Sequence, residues 1–256
     1  MSEINTLKRR TLILESLNED GKLLVKELSD AYGVSEVSIR NDLKHLEEKG
    51  LLIRTRGGAI KNQPISIDLN LNQRLKSNLF EKQKIGVKAA KYVKEGDTIV
   101  MDSGSTTIEV AKQLLKFKTI KVITNSLPIA DILAANADIK LVMPGGTLRG
   151  EMKSLTGSLT ERNILSFDCD IAFIGADSII ADRGIFTPTI SEAALSNNMM
   201  AIAKRTIVVS DSSKFSRKSF VKINSMKFID IIVTDKKITN KDIITIEDQG
   251  VRVDTV

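Results

Sequence analysis

The spacing of apolar residues changes character once along the chain. Through the first sixty positions it is helical, and from about residue 79 it breaks into short continuous runs. Leu7, Ile13, Leu14 and Leu17 form a loose stripe that ends at Asp20-Gly21. Leu23, Leu24, Val25, Leu28 and Ala31 predict a second short helix that ends at Tyr32-Gly33. Ser35 is placed to cap a third helix, with Glu36 in its first turn, where a negative charge is favoured. Ile39, Leu43 and Leu46 recur at i, i+4 and i+7 on that helix, and Lys49-Gly50 is its stop signal. Leu51 to Thr55 and Gly58 to Ile60 read as two strands around Arg56-Gly57. Three helices and a small hairpin are the plan of a winged helix-turn-helix.

Positions 61–78 are polar, contain Pro64 and show no period, which reads as a linker. Beyond it, Glu81 to Val93 predicts a helix with Ile85, Ala89, Ala90 and Val93 inward. Strands are expected at 98–101, 120–124, 139–143, 169–174, 206–210 and 229–234, with helices at 108–115, 127–135 and 191–203. Continuous apolar strands alternating with helices imply a buried, mostly parallel α/β sheet. The expected organisation is a DNA-binding domain at 1–60, a linker at 61–78 and an α/β sensing domain at 79–256.

Composition narrows the chemistry. The 256 residues are 42% hydrophobic and 27% charged, an ordinary globular balance. One cysteine, Cys169, allows no intrachain disulfide, and one histidine, His45, removes any zinc site built from several histidines. No apolar run approaches the roughly 18 residues that span a bilayer, and the first ten positions have no signal-peptide core, so a cytoplasmic location is expected. The net charge is +6, yet positions 1–58 carry ten basic and ten acidic residues. Binding to DNA therefore needs charges sorted by face, not a basic domain.

That sorting is available on the third helix. With its apolar residues inward, Ser35, Ser38, Arg40, Asn41 and Lys44 are left near the opposite face. Hydroxyl, guanidinium and amide groups reach base edges and phosphates in a major groove. Arg54 and Arg56 sit on the expected wing. The segment Arg9 to Ile60 resembles the DeoR/GlpR family of bacterial transcription regulators. The resemblance is carried by Gly33-Val34-Ser35, Ile39-Arg40, Asp42-Leu43, Leu46-Glu47 and Arg54-Thr55-Arg56-Gly57-Gly58-Ala59. Asn41 departs from the arginine of many members, exchanging a charge for an amide that can read a base.

The second half holds candidates for a small-molecule site. Asp102-Ser103-Gly104-Ser105-Thr106-Thr107 follows a strand and opens a helix, where exposed N–H groups and the helix dipole suit a phosphate. The Gly-Lys-Ser/Thr ending of a P-loop and the Rossmann fingerprint are both missing, which disfavours ATP and NAD. Asn125 ends one strand, Gly145-Gly146 would allow a close backbone approach, and Asp177 ends another strand. Glu192 heads a helix, and Lys214 offers a counter-charge. Loops at the carboxyl ends of parallel strands converge.

This half resembles the DeoR-family sensor domain, which is related to ribose-5-phosphate isomerase and glucosamine-6-phosphate isomerase folds. The matching runs include 102–107, Thr124-Asn125-Ser126, Gly175-Ala176-Asp177 and Asp211-Ser212-Ser213-Lys214. The resemblance implies a phosphorylated sugar or amino sugar as allosteric effector. Ser103 to Thr107 would hold its phosphate, with Asn125, Asp177, Glu192 and Lys214 near the sugar. It also implies a repressor of carbohydrate catabolism, in a look closest to regulators of amino-sugar catabolism. The expected partners are operator DNA and further copies of the chain, as a homodimer or homotetramer. No metal, cofactor or catalytic residue is expected.

The competing reading is a sugar-phosphate isomerase, which needs an acid and a base near the carbonyl. Isomerases of this kind carry a second aspartate where Ile180 stands, and Asp182 to Phe186 replaces their next loop. A third reading, a ligand-free architectural DNA binder, forbids saturable stabilisation by any metabolite.

Overall fold

The computed structural model describes residues 6–48, 51–61 and 71–256, which fall into two compact units, Met1–Pro64 and Ile65–Val256. The Lys49-Gly50 stop and positions 62–70 of the expected linker, Pro64 included, lie outside the described residues.

The first unit contains α1 (Thr6–Asp20), β1 (Lys22–Leu24), α2 (Val25–Tyr32), α3 (Glu36–Glu48), β2 (Leu52–Thr55) and β3 (Gly58–Lys61). Ile13, Leu17, Leu28, Ile39, Leu43, Leu46 and Leu52 form one buried core. Gly33 takes φ 64° and closes α2, its N–H donating to the Ser29 carbonyl. A side chain there would be strained, so the glycine sets the turn into α3. One expectation fails: Leu23 and Leu24 are not helical. They extend along β3, so the antiparallel sheet runs β1-β3-β2. Leu23 is buried and Leu24 exposed, an alternation too short to show in the sequence. Asp42 is buried too, accepting from Arg9 Nε and Arg10 Nε at 2.7 Å each. The carboxylate thereby ties α3 to α1.

The second unit begins with α4 (Leu71–Lys76) and α5 (Leu79–Ala89). Positions 71–78, read from sequence as linker, are therefore part of this unit. Leu71 is buried in its core, its N–H donates to the Glu151 carbonyl, and Leu75 packs against the same core. Only two apolar residues four apart mark this helix, and the surrounding polar residues mask them.

Then follow β4 (Thr98–Met101), α6 (Ser105–Leu114), β5 (Lys121–Thr124), α7 (Leu127–Ala134), β6 (Lys140–Val142), β7 (Thr147–Arg149), β8 (Ser154–Thr156) and α8 (Ser158–Ile164). The remainder is β9 (Cys169–Ile174), β10 (Ser178–Ile180), β11 (Gly184–Thr187), α9 (Ile190–Ala201), β12 (Ala203–Val209), β13 (Val221–Asn224), β14 (Ile231–Thr234), α10 (Asn240–Glu247) and β15 (Arg252–Thr255).

Seven of these strands form a sheet in the order β15-β14-β12-β9-β4-β5-β6, all pairs parallel. Both faces are covered. Ile99 and Met101 of β4 belong to one buried cluster, and the intervening Val100 to the other. That is why these strands read as unbroken apolar runs. The six expected strands are all present. The edge strand β15 is not among them, because its RVDT sequence alternates and resembles a tail. A β7–β8 hairpin and an antiparallel β10-β11-β13 sheet accompany the main sheet.

Candidate functional site

Parallel strands β4, β9 and β12 lie side by side, so the segments leaving their carboxyl ends meet in one place. A cleft enclosing about 510 Å3, mouth included, lies there. Asp102 to Thr106 enter from β4, Asp177 from β9 and Lys214 from β12, with Glu192 contributed by α9.

The floor is the start of α6. Gly104 is its cap residue and supplies no side-chain cap, whereas Ser126 and Thr189 cap α7 and α9 with their hydroxyls. First-turn N–H groups have no partner within a helix, and they carry the positive end of its dipole. Asp102 lies beside them. Its carboxylate accepts from Ser103 N–H at 2.7 Å and from the Ser196 hydroxyl at 2.9 Å.

The walls are paired charges. Asp177 meets Arg74 at 2.7 Å and Lys214 at 3.9 Å, and Glu192 meets Arg149 at 2.5 Å. Thr187 stands between the two acids, its hydroxyl 2.9 Å from Glu192 and 3.3 Å from Asp177. An entering anion would compete with the carboxylates for these cations.

Burial pushes the Asp102 carboxyl up to about 7, opposed by the Ser196 hydrogen bond and reinforced by Glu192. Burial pushes the Lys214 ammonium down to about 8, partly offset by Asp177. The sign for Asp102 follows from linkage. Its folded value lies above the ordinary 3.8, so the folded chain holds the extra proton between about pH 4 and 7, and ionisation there costs stability. Asp102→Asn should therefore gain on the parent chain as pH rises from 4 to 7. The gain is at most about 1.4 kcal/mol per pH unit. Urea unfolding of both proteins across that range checks it; a constant difference refutes it.

Not every sequence candidate lines the cleft. Thr107 is buried with its hydroxyl donating to the Gly104 carbonyl, so it fixes the turn from within. Asn125 is buried, and its amide donates to the Leu155 carbonyl, tying β5 to the β7–β8 hairpin. Gly146, at φ 124°, approaches not a ligand but its own fold. A Cβ there would lie 1.9 Å from Thr160 Oγ1. Gly145 offers its carbonyl to Thr160. These positions shape the walls.

Three residues of the cleft lining, Arg74, Thr187 and Ser196, were missed by sequence reasoning, as was Arg149, which pairs with Glu192 of the lining. Arg74 lay in the supposed linker, with only the Leu71–Leu75 spacing to mark its helix. Arg149 sits on a hairpin too short to signal itself. Thr187 and Ser196 carry no motif and are placed by the tertiary fold alone. Lys82, buried on α5, holds the end of α4 by donating to the Arg74 and Ser77 carbonyls.

In the first unit, Val37, Arg40, Asn41 and Lys44 are exposed along one side of α3. Ser35 accepts the Ser38 N–H at 3.2 Å and shares a hydroxyl hydrogen bond with Ser38 at 3.0 Å, so both hydroxyls are partly committed to the start of the helix. Arg40 pairs with Glu36 at 2.6 Å in solvent. On the wing, Arg56 is exposed, and Glu47 accepts the Arg54 N–H at 2.9 Å. Asp42 points inward, away from this side.

A helix-turn-helix with a wing, joined in one chain to an α/β unit with a polar cleft, defines a two-domain DNA-binding regulator. Known proteins agree. The DeoR-like helix-turn-helix domain matches residues 9–64, and the DeoR C terminal sensor domain matches residues 77–236. The chain belongs to the DeoR family of transcription regulators. It is 34% identical over 250 residues to a protein of Escherichia coli O157:H7 assigned as transcriptional repressor of the aga operon, covering 97% of this chain and 93% of that one. It is 33% identical over 246 residues to the HTH-type transcriptional regulator GlpR of Haloferax volcanii, covering 96% of each.

Among solved structures, ribose 5-phosphate isomerase A from Methanocaldococcus jannaschii aligns at 24% identity and a TM-score of 0.41, over 56% of each chain. The protein is a DNA-binding transcription regulator and not an enzyme, as its family and helix-turn-helix establish. In the β10–β11 hairpin, Asp182 and Arg183 are exposed at the turn. Among the described residues, no helix is long and apolar enough to cross a membrane.

Proposed function

We propose that this regulator represses carbohydrate-catabolism genes in the cytoplasm and is released from its operator by a phosphorylated sugar or amino sugar. The observation that carries this reading is the uncapped start of α6, opening into a cleft where Arg74 and Lys214 converge. The phosphate would sit on the N–H groups of residues 104–106, drawing Arg74 and Lys214 toward it. Asp177 and Glu192 would then be left to accept sugar hydroxyls or an amino group. The chain would need no metal or other cofactor.

The route to the DNA unit is covalent. Arg74 lies on α4, the first helix after residues 62–70, which join the two units. A shift of Arg74 would move α4 and with it the end of that connection. Operator half-sites would lie about 34 Å apart or a multiple of it, read by a homodimer or homotetramer.

A thermal-shift screen tests the ligand assignment. Phosphorylated sugars should give saturable stabilisation, reaching about 2.7 kcal/mol at one hundred times Kd, while the unphosphorylated sugars give none. Equal stabilisation by sugars with and without phosphate would refute the assignment.

A further inference from the structure

We infer that Val37 and Asn41 together select a thymine beside an adenine in each operator half-site, Val37 covering the thymine methyl and Asn41 bonding the adenine edge. This rests on the reading of α3 as the helix that enters the major groove.

The exposed side of α3 is Val37, Arg40, Asn41 and Lys44, at i, i+3, i+4 and i+7. A helix-turn-helix reads bases with the N-terminal residues of its second helix. Val37 lies in the first turn and is 62% exposed, the most exposed large apolar residue described in the first unit. Singly exposed apolar residues are common and need no special reason. This one lies among polar residues on the single face expected to meet DNA, one turn before an exposed amide.

The neighbours narrow the roles further. Arg40 is engaged by Glu36 at 2.6 Å, which also neutralises the acid nearest the groove. Ser35 and Ser38 are bonded to one another. Lys44 is two turns in and presents a point charge suited to a phosphate. Val37 and Asn41 are left with side chains uncommitted to a hydrogen bond or ion pair in the structure as described. An asparagine pairs with adenine N7 and N6, and an apolar side chain meets the thymine methyl, the one apolar group in the major groove. The two residues face the same way four positions apart, so they address neighbouring bases.

The test starts from duplexes selected by the full-length protein out of a randomised pool. In a selected site, each thymine is then replaced by uracil, which removes only the methyl group, and affinity is read by fluorescence anisotropy. One thymine per half-site should show a loss of about fourfold, the worth of covering one methyl group. Val37→Ala should bind the thymine and uracil duplexes alike. Replacing the adjacent adenine by 7-deazaadenine should weaken the parent chain by about tenfold and leave Asn41→Ala unaffected. The inference is overturned if no half-site thymine responds to uracil, or if Val37→Ala still distinguishes the two. Failure to enrich any duplex would instead overturn the placement of α3. Val37 and Asn41 are both exposed, so neither variant threatens the fold.

Discussion

Thr106→Asp should abolish stabilisation by a phosphorylated sugar while leaving operator affinity within about twofold. Thr106 is buried in the first turn of α6 and lines the cleft floor. A carboxylate there would stand about 4 Å from a bound phosphate. At an effective dielectric of about 20, each pair of like charges at that distance costs about 4 kcal/mol, more than a hundredfold in affinity. The new side chain suits the helix itself, since an acid in the first turn is favourable. Calorimetric titration of the effector, with anisotropy on the operator, reads both effects in one preparation. Undiminished effector binding would place the phosphate elsewhere.

The second large effect belongs to the first unit. Asp42 is 1% exposed and accepts from both Arg9 and Arg10. Asp42→Ala leaves two guanidinium groups without their shared partner, one of them largely buried. Breaking a buried ion pair from one side costs about 3–5 kcal/mol, a large share of the stability of a unit this small. Operator binding should disappear, and amide exchange should accelerate across residues 6–61 but not across β4, β9 or β12. Asp42 lies on the recognition helix, so lost DNA binding alone would not separate a stabilising role from a contact. The exchange pattern does. Unchanged protection in the first unit would show that the pairs contribute little.

What could be read from the sequence depended on how many residues carried each element. The central strands were legible because burial on both faces leaves runs such as Ile171 to Ile174 almost wholly apolar. The helix α3 was legible from Ile39, Leu43 and Leu46, and its cap from Ser35. Elements of three or four residues, such as β1 and β7, offer too few positions for a period to emerge.

The site divided along the same line. Residues at strand ends, Asp102, Asp177 and Lys214, could be placed together because parallel topology gathers those ends. Arg74 and Arg149 could not, since each arrives from an element outside the main sheet and meets its acid only in the folded chain. Asn125 and Gly146 fall outside the cleft lining for the opposite reason. Polar and glycine residues at strand ends serve internal hydrogen bonds and close packing as readily as a ligand.

The inward carboxylate of Asp42 shows a further limit. A helical period assigns residues to a face by hydropathy, and a buried acid is invisible to it until the arginines of another helix are brought alongside.

Occupancy of the cleft should change the grip on DNA. Titrating the stabilising sugar phosphate into a complex of the full-length protein with its operator, and following anisotropy, measures that coupling directly. At saturation the operator Kd should rise 5- to 150-fold, a coupling of about 1–3 kcal/mol. A ligand that fills the cleft and leaves the operator Kd unchanged, or lowers it, would contradict the account.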